Sequence, residues 1–289
     1  MTGAPLLALS AALGFGLAAV LLKRGLQYVR PFTAALVSVT CTTVFVWSVV
    51  GVTAPLGLLA TWKIVPFLVA GLVAPGLARL VFFVGVDRIG VARAASVAGI
   101  APLFAVLLAV LALGERPSPL LLLGAACIVG GGVLLSRRGT AETAWRRRDL
   151  GFPLLAALGF ALRDVVSRAG LRDYPHPFVA AAAATLMSLA VMWGFAGLRG
   201  LGGLGLKRSG LVFLVLSGLA EGLAYLTMWR ALAVGDVSIV SPLVNAHPIF
   251  AVSLAALFLR DLEQVTWRLA LAAAVVVAGV VLVVRSVTG

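Results

Sequence analysis

The sequence predicts an all-α polytopic membrane protein: ten transmembrane helices in two inverted five-helix repeats around a central cavity. Three observations carry this. Apolar stretches long enough to cross a hydrocarbon core of roughly 30 Å recur along the whole chain. The two halves align at a nearly constant offset. Each half holds an odd number of such stretches, so the second half enters the membrane from the opposite face.

The stretches run over 4–22, 32–51, 64–87, 92–113, 118–136, 151–170, 177–197, 209–233, 237–259 and 265–285. They are continuously apolar rather than alternating, which indicates helices and not a barrel. Most connections are only a few residues long, so consecutive helices are antiparallel neighbours. The longest connection, SRRGTAETAWRRRD, joins the fifth span to the sixth. It divides the chain into a first repeat at 1–136, a basic linker at 137–150 and a second repeat at 151–289.

The repeat is visible residue by residue. AALGFGLAAVLLKRGL at 11–26 lies over AALGFALRDVVSRAGL at 156–171, an offset of 145. Beyond one inserted residue the offset is 146, pairing Pro31-Phe32 with Pro177-Phe178, Pro102 with Pro248 and Glu115 with Asp261. Inverted repeats of this kind belong to alternating-access transporters and some channels, where the halves exchange conformations around a site between them.

Composition narrows the function. The 289 residues are 62% hydrophobic and 11% charged, with a mean hydropathy of +1.13. The net charge of +13 does not indicate nucleic acid, because the basic residues lie in short gaps between apolar stretches. There they set orientation and meet anionic lipid headgroups. The two cysteines, Cys41 and Cys127, lie inside apolar stretches and read as buried small hydrophobes. The N-terminal MTGAPLLALS lacks a basic n-region, so the first stretch is expected to remain as a span. No cofactor or metal set is expected, and no Walker A pattern is present, so ATP hydrolysis is not supported.

With the repeats laid out, GIAPLFAVLLAVLALGERPSPLLLLGAACIVGGGVLL at 99–135 resembles the drug/metabolite transporter superfamily, EamA-type. The pattern is a Pro-containing fourth span, a terminal Gly-Glu, a short turn and a Gly-rich fifth span. NAHPIFAVSLAALFLRDLEQVTW, from Asn245 on, repeats it with Arg260-Asp261 in place of Gly-Glu. The resemblance implies that spans 1–4 and 6–9 enclose the cavity, with spans 5 and 10 outside as a brace or dimer surface. It implies export or exchange of amino acids, drugs or other small metabolites across a plasma membrane. The small residues Gly124, Ala126, Gly130 and Gly131 permit close helix approach, within the fold or in a homodimer; monomer and homodimer both stay open.

Ionisable residues inside a membrane cost about 2.5–3.5 kcal/mol each on insertion scales and mark candidate sites. Glu221 lies mid-span, and Ser217, Glu221, Tyr225 and Met228 form one helical stripe. Either Glu221 faces a cavity or it pairs with an arginine and locks the bundle. Arg79 aligns with Tyr225 through the 146 offset, so pseudo-symmetry brings Arg79 and the Glu221 stripe to equivalent positions. Arg79 is expected to clamp a substrate carboxylate or to pair with Glu221. Trp229, Phe82 and Phe83 are further candidates for tolerating apolar groups. Asn245 shares a face with Ser241 and is expected toward the cavity, with His247 as a proton-sensitive group or an interface histidine. Pro102, Pro242 and Pro248 are expected to bend their spans. Arg163 and Asp164 are expected nearer one face than the centre and in different directions, with Asp164 as a possible coupling group. Arg168, Arg230 and Lys23 are expected to snorkel.

These residues favour a secondary transporter of a small polar or amphipathic metabolite, a zwitterion such as an amino acid suiting the pair Arg79 and Glu221. Two other classes stay in view. An intramembrane enzyme on lipid-linked substrates needs a nucleophile with a base or a metal set, and His176 and His247 stand far apart with no such spacing. An auxiliary membrane subunit would bind no small molecule by itself.

Charge sorts the chain across the membrane. Of the 23 Lys and Arg residues, six fall on the face of the two termini and fifteen on the opposite face. The positive-inside rule places the fifteen in the cytoplasm and the termini outside. The resemblance implies termini inside; the charge count is preferred.

Overall fold

A computed structural model describes residues 3–136, 146–199, 208–258 and 267–288. Among these, eight helical spans are long and apolar enough to cross a membrane, and two shorter apolar helices, Pro119–Leu135 and Leu271–Val287, complete ten. The first half comprises α1 (Gly3–Gly25), α2 (Pro31–Thr53), a broken third span of α3 (Val65–Gly71) and α4 (Ala78–Ile89), a fourth span of α5 (Val91–Ala98) and α6 (Ala101–Leu113), and α7 (Pro119–Ser136). The second half comprises α8 (Gly151–Asp173), α9 (Pro177–Arg199), α10 (Arg208–Val234), a ninth span of α11 (Val237–Val244) and α12 (His247–Phe258), and α13 (Trp267–Thr288). Within the expected linker, Arg147–Leu150 form a single 3-10 turn leading into α8. The departure at Arg260-Asp261 lies outside the described residues.

The contacts obey a pseudo-two-fold. Helix α1 packs on α10, α11 and α12, and its counterpart α8 packs on α3, α4, α5 and α6. Helix α2 meets α10, and α9 meets α3; α2 also meets α9, and α7 meets α13, each with its own counterpart. The crossings repeat in detail. A Cβ on Gly14 of α1 would lie 2.8 Å from the Ala224 Cβ, and one on Gly159 of α8 would lie 2.9 Å from the Ala78 Cβ. Gly14 and Gly159 are offset by 145, and Ala78 and Ala224 by 146, so both pairs are repeat-equivalent.

The prolines act differently from a simple bend. The fourth span stops at Gly99-Ile100 and the ninth at Asn245-Ala246, positions again 146 apart. Pro102 and Pro248 stand second in α6 and α12. A proline has no N–H to donate into the preceding turn, so it starts a helix well and continues one badly. Each of these spans is therefore two half-helices. Of these three prolines, only Pro242 lies inside a helix.

The third span carries the asymmetry between the halves. Between α3 and α4 the chain makes a wide π-type turn over Leu72–Leu77, with Ala74 extended (φ −151°, ψ 136°). Gly71 abuts Ala184 of α9, and Gly218 of α10 abuts the carbonyl of Ser38, the repeat partner of Ala184. Gly71 and Gly218 are thus structural equivalents, as are Ala78 and Ala224. Seven steps separate the first-half pair and six the second. The wide turn accommodates one extra residue, as single-turn π-bulges do, while α10 runs unbroken.

Helices α7 and α13 pack face to face. Gly124 meets the Gly279 carbonyl and Gly131 meets Val276, so these glycines serve packing within the chain. Ala126 and Gly130 lie on the outward, exposed face of α7.

Candidate functional site

Glu221 stands at the middle of α10, where the halves meet. Its Oε1 accepts a hydrogen bond from Arg79 Nη2 of α4 at 2.6 Å, and its Oε2 accepts one from Ser38 Oγ of α2 at 2.7 Å. The side chains of Arg79 and Glu221 keep 21% and 15% of their exposure. Neither side chain is fully sealed in the core. The expected pairing is therefore present, and it joins α4 of one half to α10 of the other.

A narrow cavity of about 10 Å³ opens beside the pair, lined by Val39, Thr42, Thr43, Pro75, Thr185, Ser188, Glu221 and Tyr225. That is roughly the space one water needs, so in this conformation the helices are closed over the site. The lining comes from α2, α9, α10 and the wide turn, the four elements at the pseudo-two-fold centre. Pro75 is the 146-offset counterpart of Glu221, so the break in the third span faces the carboxylate.

Sequence reasoning did not single out the hydroxyls of α2 and α9. Thr42 Oγ1 donates to the Gly218 carbonyl at 2.9 Å, and Ser188 Oγ to the Gly71 carbonyl at 2.8 Å. Thr42 and Ser188 are 146 apart, and Gly218 and Gly71 are structural equivalents, so these bonds are symmetry mates. The signal was available: buried hydroxyls recur at helical spacing in otherwise apolar spans, SVTCTT at 38–43 and Thr185 to Ser188.

The expected stripe on α10 divides. Tyr225 lines the cavity. Its buried hydroxyl lies beside Trp229 Nε1 and the Arg163 guanidinium, without a well-formed hydrogen bond to a described residue. Ser217 instead donates to the Ala18 carbonyl at 2.8 Å and ties α10 to α1. Trp229 is fully buried, edge-on to Phe67 at 5.7 Å, and belongs to the core. Phe82 and Phe83 pack in two separate hydrophobic clusters away from the cavity lining. Large aromatic side chains compete best for core volume, which is why three of the four aromatics left the site.

The remaining candidates also lie elsewhere. Asn245 ends α11 and donates from Nδ2 to the Ser241 carbonyl at 2.9 Å. It caps the half-helix at the break and is not among the cavity-lining residues. His247 packs edge-on to Phe15 of α1, ring centroids 6.4 Å apart, which is the interface reading. Asp164 is not divergent from Arg163. Arg163 Nε and Nη2 both donate to Asp164 Oδ1, at 3.0 and 2.7 Å, and both residues are buried in the middle of α8. A flexible arginine stem lets neighbouring residues fold together where water is excluded and an unpaired charge would be costly. Arg168 does not snorkel: it donates to the Leu232 and Ala233 carbonyls and pairs with Asp236 at 3.5 Å.

Glu115 emerges as a tie between the halves. Gly114 ends α6 in the left-handed region (φ 68°), turning the chain so that the Glu115 carboxylate points across. It accepts from the Val237 and Ser238 N–H groups at 2.8 and 2.9 Å, capping the start of α11. A carboxylate there satisfies unpaired donors and meets the positive end of the helix dipole. This gives the Gly-Glu motif a structural role.

Ten spans in an inverted duplication, with an ion pair where the halves meet, are the architecture of a membrane transporter. The EamA-like transporter family model matches residues 2–137 and again 150–285. The chain belongs to that family, and so is a multi-pass membrane transporter of the drug/metabolite type. No curated protein matches it. One solved structure, "Crystal structure of protein", superposes with a TM-score of 0.82 at 21% identity, covering 97% of this chain and 96% of that one; that likeness shows the fold.

Proposed function

We propose that the protein is a secondary transporter that moves a small zwitterionic metabolite by alternating access, with Arg79 and Glu221 as its binding pair. The observation that carries this is the 2.6 Å Arg79–Glu221 contact beside a cavity at the inter-half axis. The pair already satisfies both charges in the closed form. A zwitterion replaces it without leaving a charge unpaired: its carboxylate takes Arg79 and its ammonium takes Glu221. Tyr225 has a hydroxyl to offer the same carboxylate. We further propose Glu221 as the proton-coupling group and the plasma membrane as the location.

The test is a thermal-shift screen of purified protein against amino acids, nucleosides, organic cations and sugars. A true ligand raises the unfolding midpoint as its concentration passes Kd. The expected hit is an amino acid, lost in Arg79→Ala and in Glu221→Gln. A hit undiminished in both variants refutes the assignment of the pair. Counterflow in proteoliposomes that kept its pH dependence in Glu221→Gln would remove the coupling role.

A further inference from the structure

The cavity wall is one-sided in its hydrogen-bonding capacity. A hydroxyl has a single proton to donate and two lone pairs to accept with. At Thr42, Thr43, Thr185 and Ser188 that proton is already committed inside the protein. Thr42 gives it to the Gly218 carbonyl, and Thr43 shares it between the Val39 and Thr185 carbonyls, at 2.8 and 3.3 Å. Thr185 gives it to the Ala182 carbonyl, and Ser188 shares it between the Gly71 and Ala184 carbonyls. Ser38, beside them on α2, gives its proton to Glu221. What these side chains have left is acceptor capacity. Donor capacity beside the wall lies in Arg79, which holds Glu221; the Tyr225 hydroxyl is buried beside Trp229 and Arg163.

We infer that the wall formed by α2 and α9 selects substrates bearing a primary ammonium and rejects their N-trimethylated analogues. The inference rests on the zwitterion reading above and names the end of the molecule that decides specificity. Three N–H donors of a primary ammonium meet hydroxyl oxygens and the Glu221 carboxylate. A trimethylammonium carries the same charge with no donor, and would desolvate those oxygens without replacing water. Sites for quaternary ammonium use several aromatic faces. This lining holds one aromatic, Tyr225, since Trp229 is sealed in the core. The same reading orients the substrate, ammonium toward Glu221 and the hydroxyls of Thr42 and Ser188, carboxylate toward Arg79.

The experiment compares glycine, alanine and serine with their N,N,N-trimethyl betaines, as competitors in counterflow and as ligands in thermal shift, using the full chain. Sites built to hydrogen-bond a substrate group discriminate strongly against analogues lacking it, so a preference of about tenfold or more is expected. In Thr42→Val/Ser188→Ala that ratio falls toward one. Because it is measured within one protein preparation, a loss of folded material does not alter it. Equal affinity for both members of each pair, abolished by Arg79→Ala, overturns the ammonium selectivity and leaves the pair assignment standing. Binding of neither member of any pair overturns both. A ratio unchanged in the double variant overturns the role of the α2–α9 wall.

Discussion

Arg79 and Glu221 can be separated experimentally into lock and site. Removing one partner of a shielded ion pair strands the other, and replacing both by apolar residues of similar size is often neutral. Arg79→Met is therefore expected to destabilise by about 2–4 kcal/mol, a lower figure than for a sealed pair because both side chains keep some exposure. Arg79→Met/Glu221→Met should recover most of the unfolding midpoint in detergent while abolishing transport. Recovery of both stability and transport would make the pair a lock alone. The pairing of these two was legible in the sequence, since unpaired intramembrane charges are rare and the repeat brought the two together. The hydroxyl wall was less legible, because a threonine in a span reads equally as a helix back-bond to its own turn, which Thr43 also makes. Trp229 was misread for a physical reason: periodicity gives the face a residue lies on, not the depth to which neighbouring helices bury it.

Among elements, the half-helices show what a sequence does and does not disclose. Pro102 and Pro248 announced irregular fourth and ninth spans, but periodicity alone does not distinguish a bend from a stop. The stop depends on what satisfies the freed backbone groups, and at the ninth-span break that is a local cap, Asn245 Nδ2 on the Ser241 carbonyl. The partners that come from distant elements stand at the ends of spans instead: Glu115 at the start of α11 and Arg168 at the end of α10. Neither is near in sequence. Glu115→Gln leaves one acceptor oxygen where two were used, so one buried N–H loses its partner. The expected cost is about 1–2 kcal/mol, read as a lower unfolding midpoint. Because the tie crosses between halves on the face of the termini, the same variant should open that face. Labelling of a cysteine introduced at Ser238, in a background lacking Cys41 and Cys127, measures this; a labelling rate equal to that of the parent would refute it.

For the whole molecule, the duplication and the number of spans followed from the sequence, while orientation rests on charge. By the positive-inside rule, fifteen basic residues against six predict both termini outside the cell. A C-terminal alkaline phosphatase fusion should then be active and a green fluorescent protein fusion dark. The reverse pattern would show that the family's usual orientation outweighs the charge count.

The wide turn at Leu72–Leu77 bears on the energy of transport itself. A protein made of two identical inverted halves has two end states related by a two-fold rotation about an axis in the membrane plane, and these are equal in energy. Exchanging the halves would cost nothing, and an unliganded molecule would rest equally open to either side. One extra residue in the third span, with no counterpart in α10, removes that equality. On the alternating-access reading proposed above, the contacts of one half and the other are then not interchangeable, and one side is the preferred resting side before any gradient or substrate acts. On that reading the length of a single turn is one contributor to the balance of the two states, and shortening it by one residue is expected to shift that balance.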